Sequence, residues 1–328
     1  MAKASYYNTV GHREDLLDVI SQVSPKKTPL FSMLNKHSRP KNELQEWQAD
    51  NLDDPNWEDV VDGEDITTYS NQAANRVMLS NRIQEHRTSY QVTRLQEDLV
   101  TAGVDSEVAR SQARCVLHHK RYLNGLTGST QDVRAGTGAQ SSRLRALGKS
   151  IDSTNTDIPS IARTVSGAEL AIGSVTEEGF NGVLQALYEE SGEEDNFVMV
   201  ANTNAQQKMT RFLRYVGDGS ASSESPTFRV NHNSSSTNID LRVTGYRGDF
   251  GSVRIVKDLL IGRTKATALN TAAKDTAYIF PKDCVSLGFV TNPTLEPHED
   301  KGGGKRGMCR SVLSLIVKNP KACGKITS

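Results

Sequence analysis

A chain of 328 residues, 36% hydrophobic and 24% charged, has room for two domains, or for one with elaborations, around a core of modest size. Its 39 Lys and Arg balance 39 Asp and Glu, which argues against a dedicated nucleic-acid binder with its usual basic excess. No window approaches the ~18 apolar residues of a membrane span. Met1-Ala2-Lys3-Ala4-Ser5-Tyr6 lacks the apolar stretch of a signal peptide, so synthesis in a cytoplasm and no membrane contact are expected.

Residues 1–40 read as an arm. An amphipathic stretch (Leu16, Leu17, Val19, Ile20, Val23) stops at Ser24-Pro25, because a residue before proline avoids the helical region. Thr28-Pro29 interrupts the chain again before Leu30, Phe31, Met33 and Leu34. Such an arm cannot bury its apolar face alone; its own core and a neighbouring subunit are equally open to it.

Residues 41–94 read as a long β-hairpin, leaving along 43–49 and returning along 76–93. Ten acids and no base lie between Glu43 and Asp65, among them Asp53, Asp54, Glu58 and Asp59, together with both tryptophans, Trp47 and Trp57. Like charges on one loop repel and favour extension away from the body, and a lone hairpin is marginal in water. Something outside the chain is expected to hold it.

A helix is predicted over 103–125 on the stripe Val104, Val108, Cys115, Val116, Leu117 and Leu123, ended by Gly125 and Gly128. Residues 129–142 read as a flexible crossover. A second helix begins at Thr176 as N-cap, with Phe180, Val183, Leu184, Leu187 and Tyr188 on one face. Phe197 to Ala201 is a short buried strand, and Asn202 or Thr203 caps a third helix carrying Met209, Phe212, Leu213 and Val216. Residues 217–236 are a polar surface loop. Strands follow over 239–246, 252–261, 284–290 and 309–317, with Gly302-Gly303-Gly304 as the turn before the last. This order is α+β, not doubly wound.

Charge is sorted along the chain. Eight bases against one acid lie between Arg110 and Lys149 (Arg110, Arg114, Lys120, Arg121, Arg134, Arg143, Arg145, Lys149), and seven bases with no acid follow from Lys301 onward. Opposed patches on a neutral chain suit a protein whose main partner is another copy of itself.

No catalytic, metal or cofactor site is expected. His118-His119 point about 100° apart on a helix and read as a solvated pair. The remaining histidines, His86 among them, have no ligand-spaced partner. Cys115, Cys284, Cys309 and Cys323 form no CxxC and read as buried or incidental thiols. Asp59-Val60-Val61-Asp62-Gly63 does not follow the oxygen-ligand pattern of a calcium loop. Gly302-Gly303-Gly304-Lys305-Arg306 lacks phosphate-loop spacing, and no GxSxG occurs.

In order, these segments resemble tailed-phage major capsid proteins of the Hong Kong 97-type fold. Arg13-Glu14-Asp15-Leu16, Val19-Ile20-Ser21 and the run from Ser24-Pro25 to Ser32-Met33 resemble the family's N-arm. Glu46-Trp47-Gln48-Ala49-Asp50 resembles the start of its E-loop. Asn81-Arg82-Ile83-Gln84 and Leu99-Val100-Thr101-Ala102-Gly103 resemble the return into its spine helix. Arg143-Leu144-Arg145-Ala146-Leu147-Gly148, Ser153-Thr154-Asn155, Tyr246-Arg247-Gly248-Asp249-Phe250-Gly251 and the closing Asn319-Pro320-Lys321-Ala322-Cys323-Gly324-Lys325-Ile326 continue the likeness. Lys120-Arg121-Tyr122-Leu123 departs from the acidic residue usual there, and the aromatic expected near Lys149-Ser150-Ile151 is missing.

The resemblance implies an N-arm (1–40), an E-loop (41–94), a P-domain spine helix and crossover (95–140), an A-domain (141–280) and P-domain terminal strands (281–328). It implies a non-enzymatic shell subunit that forms hexamers and pentamers of an icosahedral head around double-stranded DNA. A separate scaffolding protein, a portal and an optional decoration protein complete its partners. Another virion part (tail, neck or decoration) and a soluble enzyme of unfamiliar α+β fold are the competing readings. Inter-subunit contact is expected from Trp47, Trp57, Asp53, Asp54, Glu58 and Asp59 against basic surface around Arg110 to Lys149 (Arg110, Arg114, Lys120, Arg121, Arg134 and Arg143) or the C-terminal basic block. Leu30 and Phe31 of the arm join that expectation, with the tryptophans as anchors because exposed ion pairs contribute only ~0–1 kcal/mol each.

Overall fold

The computed structural model describes residues 27–52, 59–67, 69, 71, 73–99, 101, 103–212, 244–263 and 274–328. The amphipathic stretch from Leu16 to Val23, the loop over 217–236, and Trp57, Asp53, Asp54 and Glu58 lie outside them.

A five-residue helix, α1 (Pro29–Met33), leads into β1 (Asn35–His37). Pro29 interrupts nothing here. It stands at the first helical position, where its missing N–H costs no bond. The hairpin β2 (Leu44–Ala49) and β3 (Val77–Arg82) follows, then β4 (Gln84–Val92), α2 (Arg94–Asp98) and the long α3 (Glu107–Thr127). A helical turn, α4 (Leu147–Ser150), precedes β5 (Glu169–Ala171), α5 (Glu177–Ser191), β6 (Phe197–Ala201) and α6 (Thr203–Phe212). The rest is strand: β7 (Gly245–Gly248), β8 (Gly251–Lys257), β9 (Ala277–Pro281), β10 (Val285–His298), β11 (Lys305–Val317) and β12 (Gly324–Thr327).

The predicted return leg of the hairpin divides at Ile83. β3 pairs with β2 in a two-stranded sheet, while β4 pairs with β11 in a four-stranded sheet of order β1-β10-β11-β4. The second sheet runs β5-β12-β9-β6-β8-β7. The last strand, β12, lies between β5 and β9, in a different sheet from β10 and β11.

Period-two alternation explains the uninterrupted apolar runs of β6 and β9. Val198, Val200, Tyr278 and Phe280 face one core, with Leu30, Leu123, Leu147 and Leu315. Phe197, Met199, Ala201 and Ile279 face another, with Phe180, Val183, Leu184 and Leu187 of α5. A sheet covered on both faces reads as continuous hydrophobic sequence. Thr176 caps α5 as expected, accepting the Gly179 N–H at 3.0 Å, and the helix closes at Gly192.

β10 and β11 outrun their predicted ends, reaching His298 and starting at Lys305. Pro293 and Pro297 hid the extension. β10 pairs β1 only through Ser286–Gly288, so its later residues have a free edge that accommodates proline. At the turn, Gly304 has φ +115, and a Cβ there would sit 2.2 Å from the Val92 carbonyl oxygen. Gly148 also needs its missing side chain: a Cβ would lie 2.5 Å from the Tyr278 hydroxyl. The 129–142 crossover is tied down rather than loose. Gln131 donates to Gln84 and to the Leu144 carbonyl, and Arg134 and Arg143 bridge each other.

Candidate assembly surfaces

The hairpin β2–β3 has two unlike faces. Trp47, Ala49, Val77 and Leu79 turn towards Ile158, Ile161 and Ala162, and the Trp47 ring N–H donates to the Val317 carbonyl at 3.2 Å. Trp47 thus holds the hairpin to its own subunit, with the ring half-buried against its own chain. At the root, buried Asn81 donates to the carbonyls of Arg145 (2.9 Å) and Leu315 (2.7 Å), and its oxygen accepts the N–H groups of Arg82 and Arg145. Sequence reading placed Asn81 only in a family-like run; its role depends on partners 64 and 234 residues away.

Beyond Ala49 the hairpin is bare. Leu52 and Tyr69 are 87% and 83% exposed, and Val60, Val61 and Ile66 are exposed beside them. Lower down, Glu43 pairs with Arg82 and Asp50 with Arg76. Among the described residues, Asp59, Asp62, Glu64 and Asp65 form no ion pair with the chain's own bases. The tip therefore offers apolar groups and unneutralised carboxylates together.

The basic blocks are partly used internally. Arg145 is buried between Asp132 (3.3 Å) and Asp157 (2.8 Å), and Lys149 meets Asp152 at 2.9 Å. Lys325 lies between Asp152 and Glu169, Lys321 on Glu190, and Arg310 on Glu85. Asp152 is buried, which alone would raise its pKa. Hydrogen bonds from Thr154 and Lys149, with the charge of Lys325, outweigh that and hold the carboxyl far below its ordinary range. Arg110 pairs with Glu107, whereas Arg114 and Lys120 are exposed with no ion pair among the described residues. Arg121, Arg134 and Arg143 are half-buried, also without an ion pair among the described residues.

The arm residues divide. Leu30 is fully buried in its own core, so its side chain has no surface left for a neighbour; Phe31 meets Phe289 edge-on at 6.1 Å and is partly exposed. The short α1 is pinned to α3, where Phe31 N–H donates to Asn124, and to Asp258 just after β8, which accepts the Leu30 N–H.

His118 and His119 part company. His118 is exposed, but His119 is fully buried, its two ring nitrogens 3.1 Å from the Thr88 hydroxyl and 2.8 Å from that of Ser311. The His119 ring stacks at 5.0 Å on His86, and His86 lies flat on Tyr122 at 3.4 Å. The solvated-pair expectation fails for His119 because its side of α3 is the side packed on β4 and β11. Burial first, then the neighbouring imidazoles of His119 and His118, lower the His86 pKa to about 4, and His119 moves the same way. Only the 100° offset of the two neighbours was legible in sequence.

Among the described residues no group of three or more His, Cys, Asp and Glu is placed to hold a metal ion, and no helix is long and apolar enough to cross a membrane. A cleft of about 620 Å³ lies between α1, the start of α6 and residues 257–260. Its one carboxylate, Asp258, already accepts from Asn124 (2.7 Å), Leu30 N–H and Leu260 N–H. That cleft is lined mainly by apolar groups such as Pro29, Ala201 and Leu260.

The whole architecture has counterparts. The chain is similar to the capsid of the cyanophage P-SCSP1u at 10% identity and TM-score 0.59, over 96% of this chain and 92% of that one. It is similar to the mature capsid of bacteriophage PhiM1 at 10% identity and TM-score 0.59, over 99% and 94%. A structure from Microbacterium phage Oxtober96 matches at 12% identity and TM-score 0.61, over 99% of each chain. At these identities the likeness shows the fold, the α+β Hong Kong 97-type capsid fold. No curated protein matches the chain. The family described as SU10 major capsid protein matches residues 3–328, nearly the entire sequence. By that match the chain belongs to the SU10 major capsid protein family and is a structural protein of the phage capsid.

Proposed function

We propose that this chain works by assembly rather than catalysis, forming hexamers and pentamers that close into an icosahedral head around double-stranded DNA. One observation carries the reading: a hairpin rooted in its own subunit by Asn81 and Trp47 ends in an exposed tip, apolar and acidic at once, with no partner among the chain's own described residues. The tip of the 41–94 hairpin, with Asp53, Asp54, Trp57, Glu58 and Asp59, lies on an adjacent subunit. The receiving surface is drawn from bases without an ion pair among the described residues, namely Arg134 and Arg143 of the crossover and Lys301 and Lys305 at the β10–β11 turn. Apolar tip groups supply contact energy, and charge sets register and encounter. Exposed Leu95 and Leu99 on and beside α2 add a second apolar surface next to the Arg94–Asp300 pair. A separate scaffolding protein and a portal complete the procapsid, and a decoration protein is an optional addition.

Reversing Asp59, Asp62, Glu64 and Asp65 to lysine tests the contact by sedimentation. The variant is expected to keep the wild-type melting temperature as an isolated subunit and to form no shells. Wild-type yield of shells from that variant would refute the charged-tip contact.

A further inference from the structure

The outward side of α3 is chemically lopsided. From Val108 to Gln131 the sequence has no Asp or Glu, yet it carries Arg110, Arg114, Lys120 and Arg121. An ordinary solvated helix intersperses both signs. Helical geometry puts Arg110, Arg114, His118 and Arg121 on one face, about one basic side chain per turn or ~5–6 Å. The opposite face buries Cys115, His119 and Leu123 against the sheet.

At the end of this stripe a second element adds charge. Gly125, one turn beyond Arg121 on the same face, abuts the Leu260 carbonyl, so Arg121 overlies the 259–263 loop. Arg263 sits on that loop, one guanidinium N–H donating to the Leu259 carbonyl at 3.3 Å. The Nε atoms of both Arg121 and Arg263 are buried and have no hydrogen-bond partner among the described residues. Burial and then the field of Arg121 pull the Arg263 guanidinium below its ordinary range; only Asp258, already holding three N–H donors, opposes this. Two guanidiniums brought together with idle donors need an acceptor carrying several oxygens and a full negative charge.

We propose that this face of α3, from Arg114 to the Arg121–Arg263 pair, binds backbone phosphates of the enclosed duplex and is therefore the inner face of the shell. This rests on the capsid reading and adds which surface meets the DNA. Phosphate fits better than the acidic hairpin tip of another copy. The tip carries exposed Leu52, Val60, Val61, Ile66 and Tyr69, which seek an apolar seat, and the stripe offers only charge around Leu117. Tetrahedral phosphate also accepts from two guanidinium forks at once.

The test measures binding of a short DNA duplex to purified capsomers over a range of salt, while shell formation is scored separately by electron microscopy. Each lost phosphate contact lowers the slope of log affinity against log salt by about 0.9. Arg114→Gln, at an exposed position, is expected to lower the slope by about 1, and Arg121→Gln with Arg263→Gln by about 2. Arg121→Lys with Arg263→Lys keeps the charge and is expected to keep most of the slope. Lys305→Gln, on the β10–β11 turn, is expected to change nothing. Slopes equal to wild type in all the glutamine variants overturn the inference, as does a wild type that forms shells but binds no duplex. Folded glutamine variants that fail to form shells also overturn it, because the stripe would then face another subunit. Absence of shells from the wild type would count against the capsid reading instead.

Discussion

The stacked imidazoles between α3 and the four-stranded sheet make the subunit acid-sensitive in a definite window. His86 has its pKa lowered from 6.5 to about 4, and buried His119 is shifted in the same direction. A depressed folded-state pKa means that the fold prefers the neutral ring. The contribution is fully present above pH 6.5 and is lost as pH falls from 6.5 towards 4. Treating His86 alone, the unfolded chain is almost fully protonated at pH 5 while the folded one is almost fully neutral, a loss of about 2 kcal/mol relative to pH 7. For a subunit of this size that corresponds to a fall of roughly 4 °C in melting temperature. Groups around the stack soften the effect little: Glu85 is engaged by Arg87 and Arg310, and Thr88 and Ser311 are neutral. The assay is thermal unfolding of isolated subunits at pH 7 and pH 5, comparing wild type with His86→Phe. Phenylalanine keeps a flat ring against Tyr122 and removes the titration. Carboxylates elsewhere, such as Asp258 and Asp152, titrate alike in both proteins and cancel in the comparison. The wild type should lose about 2 kcal/mol more than the variant between the two pH values. Equal losses would refute the reasoning.

Three further outcomes are expected. Asn81→Ala leaves two buried carbonyls and two N–H groups without their partner and should cost about 3 kcal/mol, with faster proteolysis of the hairpin as the local readout. Gly304→Ala combines positive φ with a clash on the Val92 carbonyl and should destabilise by about 2 kcal/mol in denaturant unfolding, whereas Gly302→Ala, with open space around it, should cost less. Trp47→Ala should lower the unfolding temperature of the isolated subunit, since its ring N–H and face are engaged within one chain; an unchanged melt alongside weakened shells would return the ring to an inter-subunit role.

Local signals were legible where local physics decides. Thr176, Glu177 and the Phe180–Leu187 face specify α5 without help from elsewhere, and charge repulsion among the tip acids marks an extended hairpin. Long-range pairing was not legible. Nothing near Ile83 announces that the strand changes sheets there, because the switch is made by β11, more than 220 residues on. The prolines of β10 read as strand breakers until its free edge is known. The basic blocks looked alike in sequence, yet Arg145, Lys149, Lys321 and Lys325 are neutralised by carboxylates brought in by the fold, while Arg114 and Lys120 meet no carboxylate among the described residues. Burial of His119 turned on which of two neighbouring side chains faced the sheet, a choice the helical offset leaves open.

The central claim is self-assembly into a closed shell. Negative-stain electron microscopy of the chain expressed alone and with the proposed scaffolding protein tests it most directly. Hexameric or pentameric capsomers, or closed icosahedral particles, are the predicted result; monomers alone under both conditions would contradict it.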